Sequence, residues 1–318
     1  MEFFKKTNVN FIGNRHKAYV FSIAVLVIGL AALALRGGPK YSIDFIEGTL
    51  LEFHFTPPVT TAEMRHALGS VTIGDKQMNF AESEIQALGD KGDLLVRVGE
   101  SEKGTSAAEA IKAKLRQTFA DRIPADEEEW LRRQEKVGPK IGGEMKKSAI
   151  FAVIVSLILI LLYVAWRFEF RFGVAAVISI FHDVLVTLGI LTMLGMEFSM
   201  TVLAALLTIV GYSINDTIVV CDRIRENRKI LRREKFGDMV NISINQTLSR
   251  TILTAGTVWL VSWVLFFAGG EVIHGFATAL LIGVFFGTYS SIFVVSSLVV
   301  DWVNSQEKKR LEKLARKA

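Results

Sequence analysis

The sequence predicts a polytopic α-helical membrane protein with six transmembrane helices and one small external α+β domain. Three observations predict this class. The mean hydropathy is +0.37 although 22% of the residues are charged, the apolar residues form six long runs, and the basic residues lie between alternate runs. A soluble core cannot use this much apolar sequence, and a disordered chain contains far less.

The six runs are long enough to cross a bilayer, since a helix needs about 20 apolar residues to span a hydrocarbon core of roughly 30 Å. They occupy residues 18–35, 148–166, 173–195, 200–220, 251–268 and 275–300. A cleaved signal peptide is the alternative for the first run. However, this run is longer than the usual apolar region of about 7 to 15 residues, and its Ala-x-Ala motif lies inside it.

The basic residues predict the orientation. Segments 1–17, 167–172 and 221–250 and the tail after residue 300 together contain 20 Lys and Arg, whereas links 196–199 and 269–274 contain none. The positive-inside rule therefore places both termini in the cytoplasm. The net charge of +5 then reflects topology rather than nucleic-acid binding, and the single Cys excludes an intramolecular disulfide framework.

The chain is accordingly divided into four parts. They are the N-terminus with the first transmembrane helix (1–36), the external domain (37–147), the other five transmembrane helices (148–303, with a cytoplasmic loop at 221–250) and a basic cytoplasmic tail (304–318). In the external domain, Thr60 with Glu63 and Ser106 with Glu109 match helix capping boxes. Extended segments at 41–55, 93–98 and 130–137 complete a prediction of helices on one face of a sheet.

Charged side chains inside the spans are the candidate functional residues, because burying a charge in a bilayer costs several kcal/mol. Asp183 lies midway along the third span beside His182, Asp216 lies in the fourth, and Arg250 begins the fifth. Asp216 and Arg250 are predicted at similar depth, so we expect an ion pair. Because Arg does not lose its proton, protonation of Asp216 is the step that could switch such a pair.

Structural roles for these residues remain open. Asp183 and His182 could form a static clamp between helices, and Asp216 with Arg250 could be a fixed lock, since Arg250 can extend to the membrane surface. Polar residues at helical spacing accompany both charges, and Gly283 with Gly287 forms a small-xxx-small pair that permits close helix packing. The accompanying polar residues are Thr208, Tyr212, Asn215, Thr254, Thr257, Thr288 and Ser291.

The sequence contains none of the usual catalytic motifs. The five His residues show no metalloprotease spacing, and neither a GxSxG motif nor a P-loop occurs. We therefore expect no enzymatic activity, no cofactor and no metal site.

Five strings resemble the SecF family of bacterial protein-export membrane proteins. They are VGPKIGGEM before the second span, HD in the third, GYSINDTIVVCDRIREN in the fourth, NQTLSRTILT before the fifth, and GGEVIHGFATALLIGVFFGTYSSIF in the sixth. The resemblance covers the whole chain. It implies half of an RND-like transporter in the inner membrane, with residues 37–147 in the periplasm and a homologous SecD subunit completing a pseudo-twofold assembly.

The resemblance also implies a function. The complex would use the proton-motive force to promote preprotein translocation with SecA and the SecYEG channel. The Asp of SINDT and the Arg of LSRT belong to the proton-relay region of the family, which assigns that role to Asp216 and Arg250, and SecD supplies a further Asp. Two positions depart from the family pattern: Glu47 replaces the first Gly of DFxGG, and Cys221 replaces Phe.

Two other functions are compatible with the residues. A half-size RND-type exporter of small molecules or lipids is the alternative, although an external domain of this size is small for collecting such substrates. An assembly factor or sensor that transports nothing would make the intramembrane charges dispensable.

Overall fold

The computed structural model describes residues 7–316 except 43, 46–47, 75, 82, 89–91, 100–103, 138 and 168. Glu47, the departure noted above, lies outside the described residues. Contacts divide the chain into two compact units, Met1–Lys40 with Phe151–Ala318 and, separately, Tyr41–Ile150.

The described helices are α1 (Arg15–Leu35), α2 (Thr61–Leu68), α3 (Gly104–Thr118), α4 (Glu127–Trp130), α5 (Pro139–Arg167), α6 (Phe170–Met193), α7 (Met200–Ile230), α8 (Phe236–Ala268), α9 (Gly270–Ser290) and α10 (Ser296–Ala315). A π-helical stretch, Ser291–Val295, joins α9 to α10 without interrupting the rod. The described strands are β1 (Lys40–Tyr41), β2 (Gly48–His54), β3 (Val71–Ile73), β4 (Lys76–Met78), β5 (Glu84–Leu88), β6 (Asp93–Gly99), β7 (Leu131–Val137) and β8 (Glu197–Phe198).

Six helical stretches in the described part of the chain are long and apolar enough to cross a membrane, which confirms the predicted number of spans. They are Ile12–Leu35, Gly143–Val164, Phe170–Met193, Met200–Ile230, Phe236–Ala268 and Ile273–Ala315. The third, fourth and sixth stretches are the most buried, so α6, α7 and the α9–α10 rod form the interior of the bundle.

The connection 221–250 between the fourth and fifth spans is mostly helical. Helix α7 continues to Ile230 and α8 already begins at Phe236. The physical reason is that Arg, Lys and Glu are good helix formers, so the helices extend past the end of the apolar sequence.

The unit Tyr41–Ile150 contains a four-stranded antiparallel sheet in the order β5–β6–β2–β7. The predicted strands correspond to β2, β6 and β7. Alternate residues of β2 and β6, including Phe53 and Val96, pack with Met64 of α2 and Ile111 of α3 in one apolar core. The predicted arrangement of helices on one sheet face is confirmed.

The two predicted capping boxes have different outcomes. Thr60 caps α2 as predicted, because its hydroxyl accepts the backbone N–H of Glu63, whose carboxylate accepts the backbone N–H of Thr60. Helix α3, in contrast, begins at Gly104, two residues before Ser106. The prediction that Ser106 is an N-cap is therefore wrong.

Candidate functional site

The candidate site lies among α6, α7, α8 and α9, which carry the polar residues singled out in the spans. These helices are held close by small residues on α9. A Cβ atom on Gly283 would lie 2.1 Å from Ile209 Cδ1, and one on Gly287 would lie 3.3 Å from Ser213 Cβ. A larger side chain at Gly283 would therefore require the Ile209 side chain, or the contact between α9 and α7, to shift.

Asp216 is buried in α7 with only 2% of its surface exposed. Its Oδ1 accepts a hydrogen bond from Thr254 Oγ1 of α8 at 3.4 Å, while its Oδ2 is buried and has no hydrogen-bond partner among the described residues. The hydroxyl of Tyr212, one turn earlier, faces Asp216, Thr254 and Thr288 but is likewise unpartnered within the described chain. This cluster thus contains unused hydrogen-bonding capacity.

Arg250 does not form the predicted ion pair with Asp216 in this structure. The side chain is exposed at the outer face of α8, and its charge acts on Asp216 only through space. Arg250 lies one turn before Thr254 on the same face of α8, so the carboxylate lies level with Thr254 and the arginine is displaced from it along the helix axis.

Asp183 occupies a second buried polar cluster. It is 1% exposed, and three side chains contact its carboxylate. Ser213 of α7 and Ser290 of α9 donate to Oδ2 at 2.6 and 2.7 Å, and His182 Nδ1 lies 2.9 Å from Oδ1. Asp183 therefore links three helices in the interior of the bundle.

The remaining candidate residues are separated by the fold. Ser291 is buried and donates to the Thr288 carbonyl within its own rod at 2.9 Å. Asn215, in contrast, is exposed on the outer face of α7, beside Asp216 in sequence but not in the interior.

Several polar or small residues of α7 and α8 are exposed on the outside of the bundle. We call this surface the open polar face; it comprises the exposed residues Thr208, Gly211, Asn215, Arg250 and Thr257. The hydroxyls of Thr208 and Thr257 donate to carbonyls of their own helices, but a hydrocarbon environment cannot satisfy the amide of Asn215 or the guanidinium of Arg250. A matching surface on another protein could do so.

Sequence reasoning missed Ser213 and Ser290. Serine is common and uncharged, so it gives little signal in an apolar span. The available signal was their position, because each directly follows a tyrosine on the helices that carry the other polar residues. Only the fold shows that both hydroxyls converge on Asp183.

Comparison with known proteins gives concordant results. Residues 120–305 match the family described as protein export membrane protein SecD/SecF, C-terminal. The protein translocase subunit SecF of Desulfurispirillum indicum is 42% identical over 307 residues, and the match covers 95% of both chains. The protein translocase subunit SecF of Rhodothermus marinus is 40% identical, again with 95% of both chains covered.

The chain is also similar to part of a longer protein. The protein translocase subunit SecDF of Thermus thermophilus is 41% identical over 305 residues, which are 96% of this chain but 40% of SecDF. The crystal structure of Thermus SecDF, described as a translocon-associated membrane protein, has a TM-score of 0.80 and covers 94% of this chain and 39% of that chain.

Proposed function

This chain belongs to the SecD/SecF family of protein export membrane proteins, and on that premise we propose that it uses the proton-motive force to promote preprotein translocation. It is a multi-pass membrane protein with a role in protein translocation. The proposal adds three points: the proton-motive force as the energy source, SecD as the partner, and the residues that couple proton movement to translocation. It includes no covalent catalysis.

The observation that carries the proposal is the buried, unpartnered Oδ2 of Asp216 behind the open polar face. A buried carboxylate oxygen without a donor is costly, and the cost falls when the oxygen is protonated or meets a new partner. Arg250 stays charged at every accessible pH. Of the two residues, only Asp216 can therefore change its protonation state.

We assign the missing partner to SecD. This chain matches only 40% of the length of the SecDF relative, so the longer protein contains a further part that this chain lacks. A second polytopic subunit on the open polar face would cover Asn215, Arg250 and their neighbours with groups that can pair with them. The proposed unit is therefore a SecD–SecF heterodimer that contains the Asp216 cluster at its interface.

Proton movement across the membrane supplies enough free energy to change the packing of the helices. One charge crossing the membrane potential provides about 2.3 kcal/mol per 100 mV, which biases a two-state packing of helices. We place the chain in the inner membrane with both termini cytoplasmic and residues 37–147 periplasmic. There the external domain would act on preproteins that emerge from SecYEG after SecA has started their passage.

Charge-neutralising variants test the proposal. In cells depleted of the native subunit, Asp216→Asn or Arg250→Met should reduce export of a secreted reporter several-fold. Both variants should nevertheless still co-purify with SecD, because each removes a single charge and adds no bulk to the interface. Reduced export with intact assembly is the signature of lost coupling.

The matched control is Asp238→Asn, which neutralises an exposed carboxylate in the first turn of α8. It should leave export unchanged. Wild-type export by Asp216→Asn would eliminate the proposed proton coupling, and failure to co-purify any SecD with the wild-type chain would eliminate the heterodimer.

A further inference from the structure

Asp183 is a buried carboxyl group to which the proposed function assigns no role. Its three donors come from α6, α7 and α9, and no Lys or Arg in the described part of the chain forms an ion pair with it. Among the described residues, the only charge that could balance an ionised Asp183 by contact is an imidazolium at His182.

His182 forms a hydrogen bond through only one of its two ring nitrogens among the described residues. Its Nδ1 contacts Asp183, but its Nε2 is buried without a hydrogen-bond partner among the described residues. An imidazolium would place an N–H at Nε2 with nothing to accept it, whereas a neutral ring protonated at Nδ1 leaves only a lone pair there. An ionised Asp183 is therefore held by hydrogen bonds alone.

Among the described residues, no other titratable group on the helices packed against α6 balances the charge of an ionised Asp183. Tyr289 of α9 faces the His182 ring at 6.3 Å between centroids, but its hydroxyl donates to the Ala18 carbonyl of α1. Arg15 of α1 pairs with Asp301 of α10, and among the described side chains Asp216 of α7 forms no hydrogen bond with Asp183.

Ser290 can serve both protonation states of Asp183. Its Oγ lies 2.7 Å from Asp183 Oδ2 and 3.0 Å from the Gly287 carbonyl oxygen. With Asp183 ionised, Ser290 donates to the carboxylate. With a proton on Oδ2, the acid donates to Ser290 Oγ, and the serine hydrogen turns to Gly287. That carbonyl also accepts the Ser291 backbone N–H, and an oxygen with two lone pairs can accept both.

We propose that Asp183 is a second proton-binding site, and that Ser290 exchanges its hydrogen-bond acceptor when the proton binds. The proton can enter or leave while the contact between α6 and α9 is preserved, because one of the two oxygens always donates to the other. Ser290 directly precedes the π-helical stretch, a type of helix irregularity that is frequent at functional sites. The inference does not rest on the role proposed for Asp216.

Infrared difference spectroscopy tests this proposal on the full chain in lipid vesicles. The measurement compares alkaline and acidic buffer in an Asp216→Asn background, which removes the other carboxyl group of the site. Exposed Asp and Glu residues also take up protons on acidification, so we expect one C=O stretching band of a protonated carboxyl group that is present in this background and is lost when Asp183→Asn is added.

Two variants of Ser290 give an independent readout if Asp183→Asn fails to fold. Ser290→Ala removes the acceptor of the acid proton, so the band should move to higher frequency. Ser290→Thr keeps the hydroxyl and should restore the wild-type frequency. The absence of a pH-dependent band, or a band unchanged in Asp183→Asn and Ser290→Ala, would overturn the proposal; neither result bears on the role of Asp216 in export.

Discussion

Gly29 and Gly189 bring α1 and α6 into backbone contact. A Cβ atom on Gly189 would lie 2.6 Å from Gly29 Cα, and one on Gly29 would lie 3.1 Å from Gly189 Cα. Both obstacles are backbone atoms, so no side-chain rotation can relieve them. At this crossing the absence of a side chain sets the distance between the two helices.

We predict that Gly189→Ala destabilises the protein. Separating α1 from α6 should cost about 1 to 3 kcal/mol, as for other overpacked interiors, and should exceed the gain of up to about 1 kcal/mol from the better helix propensity of Ala. Thermal unfolding of the purified chain in detergent measures the change.

Gly211→Ala is the control, because a Cβ atom there meets nothing within 4 Å in the described structure. The midpoint temperature of unfolding of Gly211→Ala should equal or exceed that of the wild type. A Gly189→Ala variant that melts as late as Gly211→Ala would show that the close approach is unimportant for stability.

At the level of elements, α8 fixes the segment before α1 through two asparagines one turn apart. Asn241 Oδ1 accepts the backbone N–H groups of Phe11 and Ile12 at 2.8 and 3.2 Å. Asn241 and Asn245 both donate to the Val9 carbonyl, and Asn245 Oδ1 accepts the Val9 N–H. The two asparagine side chains thus provide hydrogen-bond partners for the backbone of this irregular segment.

We predict that Asn241→Leu loosens this segment. The variant loses three hydrogen bonds, each with a net value of about 0.5 to 1.5 kcal/mol, so amide exchange in residues 7–14 should accelerate at least about tenfold. Hydrogen–deuterium exchange with mass spectrometry of the N-terminal peptide measures the rate.

Asn304→Leu is the matched control, since Asn304 is exposed on α10 and its side chain forms no hydrogen bond within the described residues. It should leave exchange in residues 7–14 unchanged. Equal rates in the two variants would contradict the role assigned to Asn241.

For the whole molecule, the distribution of basic residues makes a topology prediction that the fold alone does not test. The segments predicted to be cytoplasmic contain 20 Lys and Arg, and the two short links on the other side contain none. Because basic residues are retained on the cytoplasmic side during insertion, we expect one orientation only.

Single-cysteine variants can test this orientation. In a Cys221→Ser background, a membrane-impermeant maleimide should label Thr72→Cys in cells without an outer membrane, and Lys229→Cys only after permeabilisation. Both positions are exposed, whereas Cys221 is buried, so differences in labelling report the side of the membrane. The reverse pattern would contradict the assigned topology.

Local properties of the sequence determined many of the helices and strands of this protein. The six spans follow from runs of apolar residues, and the strands β2, β6 and β7 follow from extended segments, because both depend on neighbours in the chain. The cap of α2 was predictable for the same reason, since Thr60 and Glu63 are three residues apart. The end of α7 was not, because apolar content does not mark where a helix of charged residues stops.

Only the tertiary structure decided which polar groups meet. Ser213 and Ser290 lie 30 and 107 positions from Asp183, and their contact depends on how α7 and α9 are rotated and how closely the glycines of α9 let them approach. The position of α8 along its own axis places Thr254 rather than Arg250 against Asp216, since the two residues share a helix face and lie one turn apart. The sequence alone determined which residues carry polar groups into the membrane, while helix rotation and packing distance determined their partners, because a helical pattern defines a face but not what lies opposite it.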